Sequence, residues 1–390
     1  MQDERAASGH SVAAGMVAAL VGYTGAFAVV LSGLRAVGAS PVEAGSGLLA
    51  VTATSGLGTL WLTSRHRIPI LLAWSTPGAA LLASTGAVHG GWPAAVGAFL
   101  IVGVLITLTG LWPQLGGLIS AIPTPIAQAM LAGVLLEICL TPVRGFVAHP
   151  WEVGPTLLTW VVLLRFARKW AVPGAFLVTL AVIAVVAANH GGVHGALLPH
   201  LSLTAPRFTS AGVLGLALPL YVVTMAGQNV PGTAVLASYG YAVPWREAMT
   251  TTGVGTILGA SAGGHAINLA AISASLVAAP PAHPDPDKRW TAAISAGWSF
   301  LVLAVISGAL TTFVSVAPID VVGAVAGLAL LGTLASSLSG ALAAEHGREA
   351  AMITFVVAAS GTTFLGIGAA FWALLAGLLV RSITYRPTLA

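Results

Sequence analysis

Charged side chains are scarce in this sequence. Asp, Glu, Lys and Arg together make up 7% of it, against about 25% in an ordinary soluble chain, which leaves too little polar surface to coat a water-soluble globule. Cysteine is nearly absent: Cys139 stands alone, so no internal disulfide can form. Long basic runs are missing as well. The net charge of +4 comes from Lys and Arg placed singly or in short groups, which argues against a nucleic-acid footprint. The opening residues MQDERAASGH lack the small-residue cleavage site of a signal peptide, so the first apolar segment is expected to direct insertion.

Apolar residues fill the space that charge leaves. They make up 57% of the chain and fall in runs of about 20 residues, the length that crosses roughly 30 Å of hydrocarbon as a helix. The pattern predicts an all-α, multi-pass membrane protein of fourteen transmembrane segments, at 11–34, 42–63, 68–88, 92–112, 118–140, 154–168, 172–189, 212–239, 245–259, 260–279, 289–314, 319–342, 349–360 and 361–381. With N- and C-termini cytoplasmic, only Arg35, Arg144 and Arg207 fall outside and every other Lys or Arg falls inside, as the positive-inside rule requires. The loop "PPAHPDPDKRW" (280–290) is then cytoplasmic and the His-rich "NHGGVHGALLPH" (189–200) external. Prolines separate His283, Asp285 and Asp287 without zinc-like spacing, so 280–290 reads as a solvated loop, with no metal and no cofactor expected.

An internal repeat organises the segments. "WPAAVGAFLIVGVLITLTG" (92–110) aligns without gaps on "WTAAISAGWSFLVLAVISG" (290–308), and three further matches follow in the same order. The repeats are placed at 1–190 and 205–390. With seven segments in each, an odd number, the second must enter the membrane upside down relative to the first, the inverted-repeat plan of secondary transporters.

Two segments in this plan are interrupted. "AWSTPGAALLA" (73–83) puts Ser75, Thr76, Pro77 and Gly78 where a spanning helix wants leucines, and Thr76-Pro77 reads as a helix start after a short extended stretch. Opposite it in the repeat, "GASAGG" (259–264) is too glycine-rich for a stable helix, and His265 to Asn268 lead into an Ala-rich helical run. A short strand plus half-helix is therefore expected in segments 3 and 10, since irregular backbone at membrane depth survives only when buried in protein or lining a cavity. A kinked but continuous helix is the plainer alternative. Facing half-helix N-termini suit an anion. Side-chain donors are also needed, and every Lys or Arg within a segment lies at its end, too far from the midplane to supply them. The candidate substrate-binding residues are Tyr23, Ser75, Thr76, Gly78, Gln228, Asn229, His265 and Asn268.

Taken together, "AWSTPGAALL", "VTMAGQNVPG", "GGHAINLAAISAS", "AHPDPDKRW" and "ASGTTFLGIGAAFWALLAG" resemble the benzoate/proton symporter family BenE over nearly the whole chain. That family is similar in architecture to nucleobase-cation symporters and sulfate-type anion transporters. The resemblance implies a core domain of segments 1–4 and 8–11, a gate domain of segments 5–7 and 12–14, a homodimer, and proton-coupled uptake of benzoate or a similar aromatic carboxylate across a bacterial inner membrane. Nucleobase relatives carry glutamates in segments 8 and 10, where this chain has Gln228 or Asn229 and the stretch His265 to Asn268, so the proton carrier is not inherited.

His265 is a candidate carrier, because an imidazole binds a proton near pH 6.5 and can then donate to a carboxylate; it reads equally as a fixed histidine supporting the half-helix. Glu137, the acidic residue inside a segment, is a second candidate, although Thr141-Pro142 soon after it points to a segment end and a gate-lining role. Of Gln228 and Asn229, one is expected to face the site and the other to bond within the protein. Asn268 reads as a ligand or a cap, and Tyr23 as a donor, a stacking wall or packing. A carrier of another small anion or a nucleobase remains open, as does an anion channel, although no continuous polar lining appears. No nucleophile and base are paired at a workable spacing, so an enzyme is not expected.

Overall fold

The computed structural model describes residues 2–189, 192, 198–271, 273–343, 347–365 and 367–384. Most of the His-rich run 189–200 lies outside them. The elements in order are α1 (Gln2–Ala36), α2 (Pro41–His66), β1 (Leu72–Trp74), α3 (Thr76–Thr85), α4 (Gly91–Leu111), α5 (Pro113–Ser120), α6 (Thr124–Ala148), α7 (Pro150–Phe166) and α8 (Ala171–Asn189). They continue as α9 (Ser210–Ser238), α10 (Trp245–Ala260), β2 (Ile267–Leu269), α11 (Ala274–Ala278), α12 (Trp290–Val314), α13 (Ile319–Leu342), α14 (Arg348–Ala359) and α15 (Ala369–Thr384). Among the described residues, seven helices are long and apolar enough to cross a membrane, and the protein is a largely helical, multi-pass membrane protein.

Close backbone approach sets the packing. Helix α4 crosses α10 at Gly103 and Gly253, where a Cβ on Gly103 would come within 2.9 Å of the Gly253 carbonyl oxygen. Helix α2 crosses α12 in the same manner at Gly56 and Gly297, with 2.9 Å between a Cβ on Gly56 and the Gly297 carbonyl oxygen. Small residues at such crossings replace the hydrophobic driving force that lipid removes. Elsewhere α6 packs along α13, and α1 runs between α12 and α3.

At the centre, β1 and β2 pair antiparallel, with Leu72 opposite Leu269, Ala73 opposite Asn268 and Trp74 opposite Ile267. The Ser75 N–H continues the ladder to the Ala266 carbonyl at 2.8 Å, and the Ala270 N–H to the Leu71 carbonyl at 2.9 Å. This pairing satisfies backbone groups that would be costly at membrane depth. A local two-fold through the ladder relates Ala73 to Asn268 and Trp74 to Leu269, whereas the ungapped sequence match sets Trp74 against His265.

Three local expectations need correction. The Ala-rich run after Asn268 does not turn helical at once: pairing of the 266–271 backbone holds it extended, and α11 starts only at Ala274. Pro142 does not end α6, which continues to Ala148. The Ile138 carbonyl that would lose its partner to the proline lies 2.7 Å from the Thr141 hydroxyl, whose one hydrogen is shared with the Gly323 carbonyl of α13 at 2.6 Å, so the break is bridged at least in part by a neighbouring side chain. Residues 280–290 form a largely exposed loop, as expected, anchored to the protein at its end. Arg289, 6% exposed, donates through Nε to the His283 carbonyl at 2.9 Å and through Nη1 to the Ala278 carbonyl at 3.0 Å, closing the C-terminal end of α11. At the other end of the chain, the last helix starts at Ala369, later than expected, after a turn in which Phe364 bridges Ile367.

Candidate functional site

A cavity of about 200 Å³ lies where the ladder meets the start of α3. Its walls come from α1 (Gly22, Gly25), β1 and α3 (Trp74, Thr76), α9 (Gln228), the β2–α11 connection (Ala271, Ser273), α12 (Phe300) and α13 (Leu330, Thr333), with Val172 closing the side next to α8. None of the side chains lining it is ionisable. Elsewhere, an engineered apolar cavity of about 150 Å³ holds benzene, so this one has room for a single ring and a small polar group.

Aromatic rings form the wall. Trp74 meets Tyr23 edge to face at a centroid distance of 5.6 Å and an angle of 83°, and lies 5.7 Å from Phe300. Its indole Nε1–H is buried and has no protein partner, and the same holds for the Tyr23 hydroxyl. Buried polar groups usually find partners. Trp74 lines the cavity, and its unpaired N–H lies within the wall.

The polar end is built by two short irregularities. The α3 start follows from "STPG": Ser75 caps it by accepting from the Gly78 N–H at 3.1 Å, and Pro77 has no N–H to leave unpaired. Thr76 therefore stands at the tip with its N–H and hydroxyl. Ser75 Oγ also accepts from the Thr224 hydroxyl at 2.8 Å, which ties α3 to α9. Gly78 sits against α9 as well, where a Cβ would come within 2.5 Å of Leu220 Cδ1.

In α9, residues Met225–Asn229 form a π-helical turn. Its wider winding lets two adjacent side chains reach β2 and its continuation. Asn229 Oδ1 accepts from the Leu269 N–H at 2.9 Å, and Gln228 Oε1 accepts from the Ala271 N–H at 3.3 Å. Asn229 is fully buried and its Nδ2 is also engaged, on Met225 Sδ at 3.1 Å. Gln228 lines the cavity, and with its oxygen occupied its Nε2 donors remain for an occupant.

The structure thus brings Thr76 and Gln228 to the cavity, together with Trp74, Ser273 and Phe300, which sequence reasoning did not single out. Tyr23, Ser75, Gly78, Asn229, His265 and Asn268 form the shell behind it. His265 is fully buried, packs edge-on to Phe99 at 6.4 Å, and uses Nε2 to donate to the Ser75 carbonyl at 3.1 Å; its Nδ1 has no partner. Asn268 donates to the Leu269 carbonyl at 2.8 Å while its Oδ1 is buried and unpaired. Glu137 lies apart, exposed near the middle of α6 and beside Gly361. No signal in the sequence separated Trp74 or Phe300 from ordinary packing aromatics. The π-helical turn had one trace, the polar pair in "AGQNVPG".

This fold, with a paired-strand centre and a cavity beside it, is shared with solved membrane transporters. The chain resembles the transmembrane domain of a cyanobacterial bicarbonate transporter, BicA, with a TM-score of 0.61 and 12% identity, covering 95% of this chain and 96% of that one. It also resembles the murine anion transporter Slc26a9 in its inward-facing state, with a TM-score of 0.68 and 12% identity over 96% of this chain and 67% of that one. In sequence, residues 6–383 match the model of the benzoate membrane transport protein family, BenE, and the chain belongs to that family. It is 36% identical over 366 residues to the inner membrane protein YdcO of Escherichia coli, covering 93% of both chains. To the benzoate membrane transport protein of Acinetobacter baylyi it is 30% identical over 379 residues, covering 96% of this chain and 95% of that one.

Proposed function

We propose that the protein takes up benzoate or a similar aromatic carboxylate together with a proton by alternating access, across a bacterial inner membrane with both termini cytoplasmic. The observation that carries this reading is the cavity itself: room for one ring, aromatic walls, and uncommitted donors at Trp74 Nε1, Gln228 Nε2 and Thr76. The ring is held by Trp74, Phe300 and the apolar side chains, and the carboxylate by the donors. A carboxylate moved into such a site without a cation loses more hydration than a few neutral donors return. A proton taken up with it removes that penalty, which is why coupling fits a cavity lined by no ionisable side chain.

Two inverted seven-segment repeats supply the movement. The crossings support them: α4 packs on α10 at Gly103 and Gly253 and α2 packs on α12 at Gly56 and Gly297, two like contacts between helices that the proposed repeats set in correspondence. The cavity lies between the proposed core domain, which provides α1, the ladder, α3, α9 and α12, and the proposed gate domain, which provides Val172, Leu330 and Thr333. Movement of the gate against the core opens the cavity to one side at a time. His265 is the proposed proton carrier. The Ser75 carbonyl can only accept, so Nε2 keeps its hydrogen and the incoming proton goes to the unpartnered Nδ1. Glu137, on an exposed face of α6, fits an entry route better than the binding step. Binding of benzoate to purified protein in a thermal-shift panel of aromatic and inorganic anions tests the substrate class. Stabilisation by benzoate and not by bicarbonate or sulfate is expected, and the reverse order overturns it.

A further inference from the structure

Of the five glycines of α1, Gly9 lies in open space on an exposed turn near the N-terminus, and the other four divide into two kinds. A Cβ on Gly15 would run into the Ala292 carbonyl oxygen of α12, and one on Gly33 into the Ala79 carbonyl oxygen of α3. These two are glycine because a neighbouring backbone occupies the space. Gly22 and Gly25 have no such reason. A Cβ on Gly22 finds only Ser273 Oγ at 3.8 Å and Phe300 Cζ at 4.0 Å, and one on Gly25 only Val172 Cγ1 at 3.9 Å. Both residues are helical, and both line the cavity. Glycine in a helix interior is less favourable than alanine, so its presence at two cavity-facing positions one turn apart, with ordinary contact distances around each, calls for another cause.

We propose that Gly22 and Gly25 set the size of the cavity and so decide which aromatic carboxylates the transporter accepts. This rests on the proposed function. A methyl group at Gly22 enters the space between Ser273 and Phe300, and one at Gly25 enters toward Val172. Both reduce a volume of about 200 Å³ that has little to spare beyond one ring. In pockets of this kind a single methylene changes discrimination by about 10–200-fold. The residues act by shape alone, because neither offers a polar side chain to the substrate.

The test uses the full-length protein with Gly22→Ala, Gly25→Ala and, as a packing control, Gly33→Ala. Thermal midpoints are compared with uptake of benzoate and of 4-methylbenzoate in proteoliposomes. The two cavity variants are expected to melt at or above the wild-type temperature while KM for benzoate rises about tenfold or more, and to lose 4-methylbenzoate more completely than benzoate. Gly33→Ala is expected to melt lower. Unchanged KM values in well-folded Gly22→Ala and Gly25→Ala overturn the inference, and so does a loss of melting temperature in them equal to that of Gly33→Ala, since the glycines would then serve packing. Wild-type protein that transports no aromatic carboxylate defeats the proposed function, and this inference with it; wild-type uptake with unaltered variants defeats the inference alone.

Discussion

His265 donates its Nε2–H to the carbonyl oxygen of Ser75 at 3.1 Å, so the residue that precedes one strand of the central ladder holds the N-cap of the half-helix that follows the other. The bond crosses from the second half of the chain to the first. It lies behind the cavity wall that Trp74 and Thr76 form, which makes His265 both a support of the site and the imidazole of the shell described around it.

These two roles separate under substitution. His265→Gln keeps a donor for Ser75 and removes the proton-binding imidazole, so the variant is expected to fold and to exchange labelled for unlabelled benzoate, yet to lose accumulation driven by external acid. His265→Ala removes the cross-chain partner of the Ser75 carbonyl, which keeps the Ala79 N–H at 2.8 Å, and leaves a void beside Phe99; the lost hydrogen bond alone costs about 0.5–1.5 kcal/mol, and the variant should melt lower. Acid-driven accumulation by His265→Gln at the wild-type level removes His265 from coupling.

Asn229 holds the second strand in place through the Leu269 N–H. Asn229→Ala leaves that buried donor unsatisfied and is expected to cost about 1–3 kcal/mol, read as a lower thermal midpoint of the detergent-purified protein. Asn229→Asp keeps an acceptor but buries a charge, so it is also destabilising at neutral pH. A wild-type midpoint in Asn229→Ala would mean that β2 does not depend on this bond.

Gln228 is the cavity's amide donor. Gln228→Leu removes a hydrogen bond to a charged group, about 1.5–3 kcal/mol, and should raise KM for benzoate roughly 10-fold to 150-fold, with a smaller change in turnover of bound substrate. Gln228→Glu places a second carboxylate beside the substrate's; uptake should fall at neutral pH and recover in part as the pH is lowered and the new group protonates. Uptake with wild-type KM in Gln228→Leu excludes this contact.

Much of this arrangement was legible in the sequence. The scarcity of charge fixed the membrane class, and "STPG" after a β-branched, proline-started run announced the cap and half-helix at Ser75 and Thr76. The second interruption was legible as a break but not in detail, because the extended conformation of 266–271 comes from partners on β1 and α9 distant in the chain. Propensity favours helix there and pairing overrides it. The continuation of α6 through Pro142 was hidden for a similar reason, since the Thr141 side chain bridges the missing hydrogen bond in part. The cavity walls were the least legible part. Trp74, Phe300 and Leu330 carry no mark that separates lining a cavity from filling a core, and only the fold brings them together with Gln228 and Thr76.

Trp74 makes that last point testable. Trp74→Phe keeps an aromatic wall beside Tyr23 and Phe300 and deletes the unpaired indole N–H. KM for benzoate should rise by about an order of magnitude with the melting temperature nearly unchanged. A variant with wild-type KM would show that the indole N–H does not meet the carboxylate.

The central claim is that one proton accompanies one carboxylate into a cavity lined by no ionisable side chain, so the loaded carrier crosses without net charge. Uptake of labelled benzoate into proteoliposomes under a fixed inward acid gradient, with the membrane potential set by potassium and valinomycin, tests it most directly. The account predicts the same initial rate and the same final accumulation at 0 and at −100 mV. Accumulation that changes steeply with potential, toward the full 2.3 kcal/mol that one net charge gains or loses per 100 mV, would contradict it.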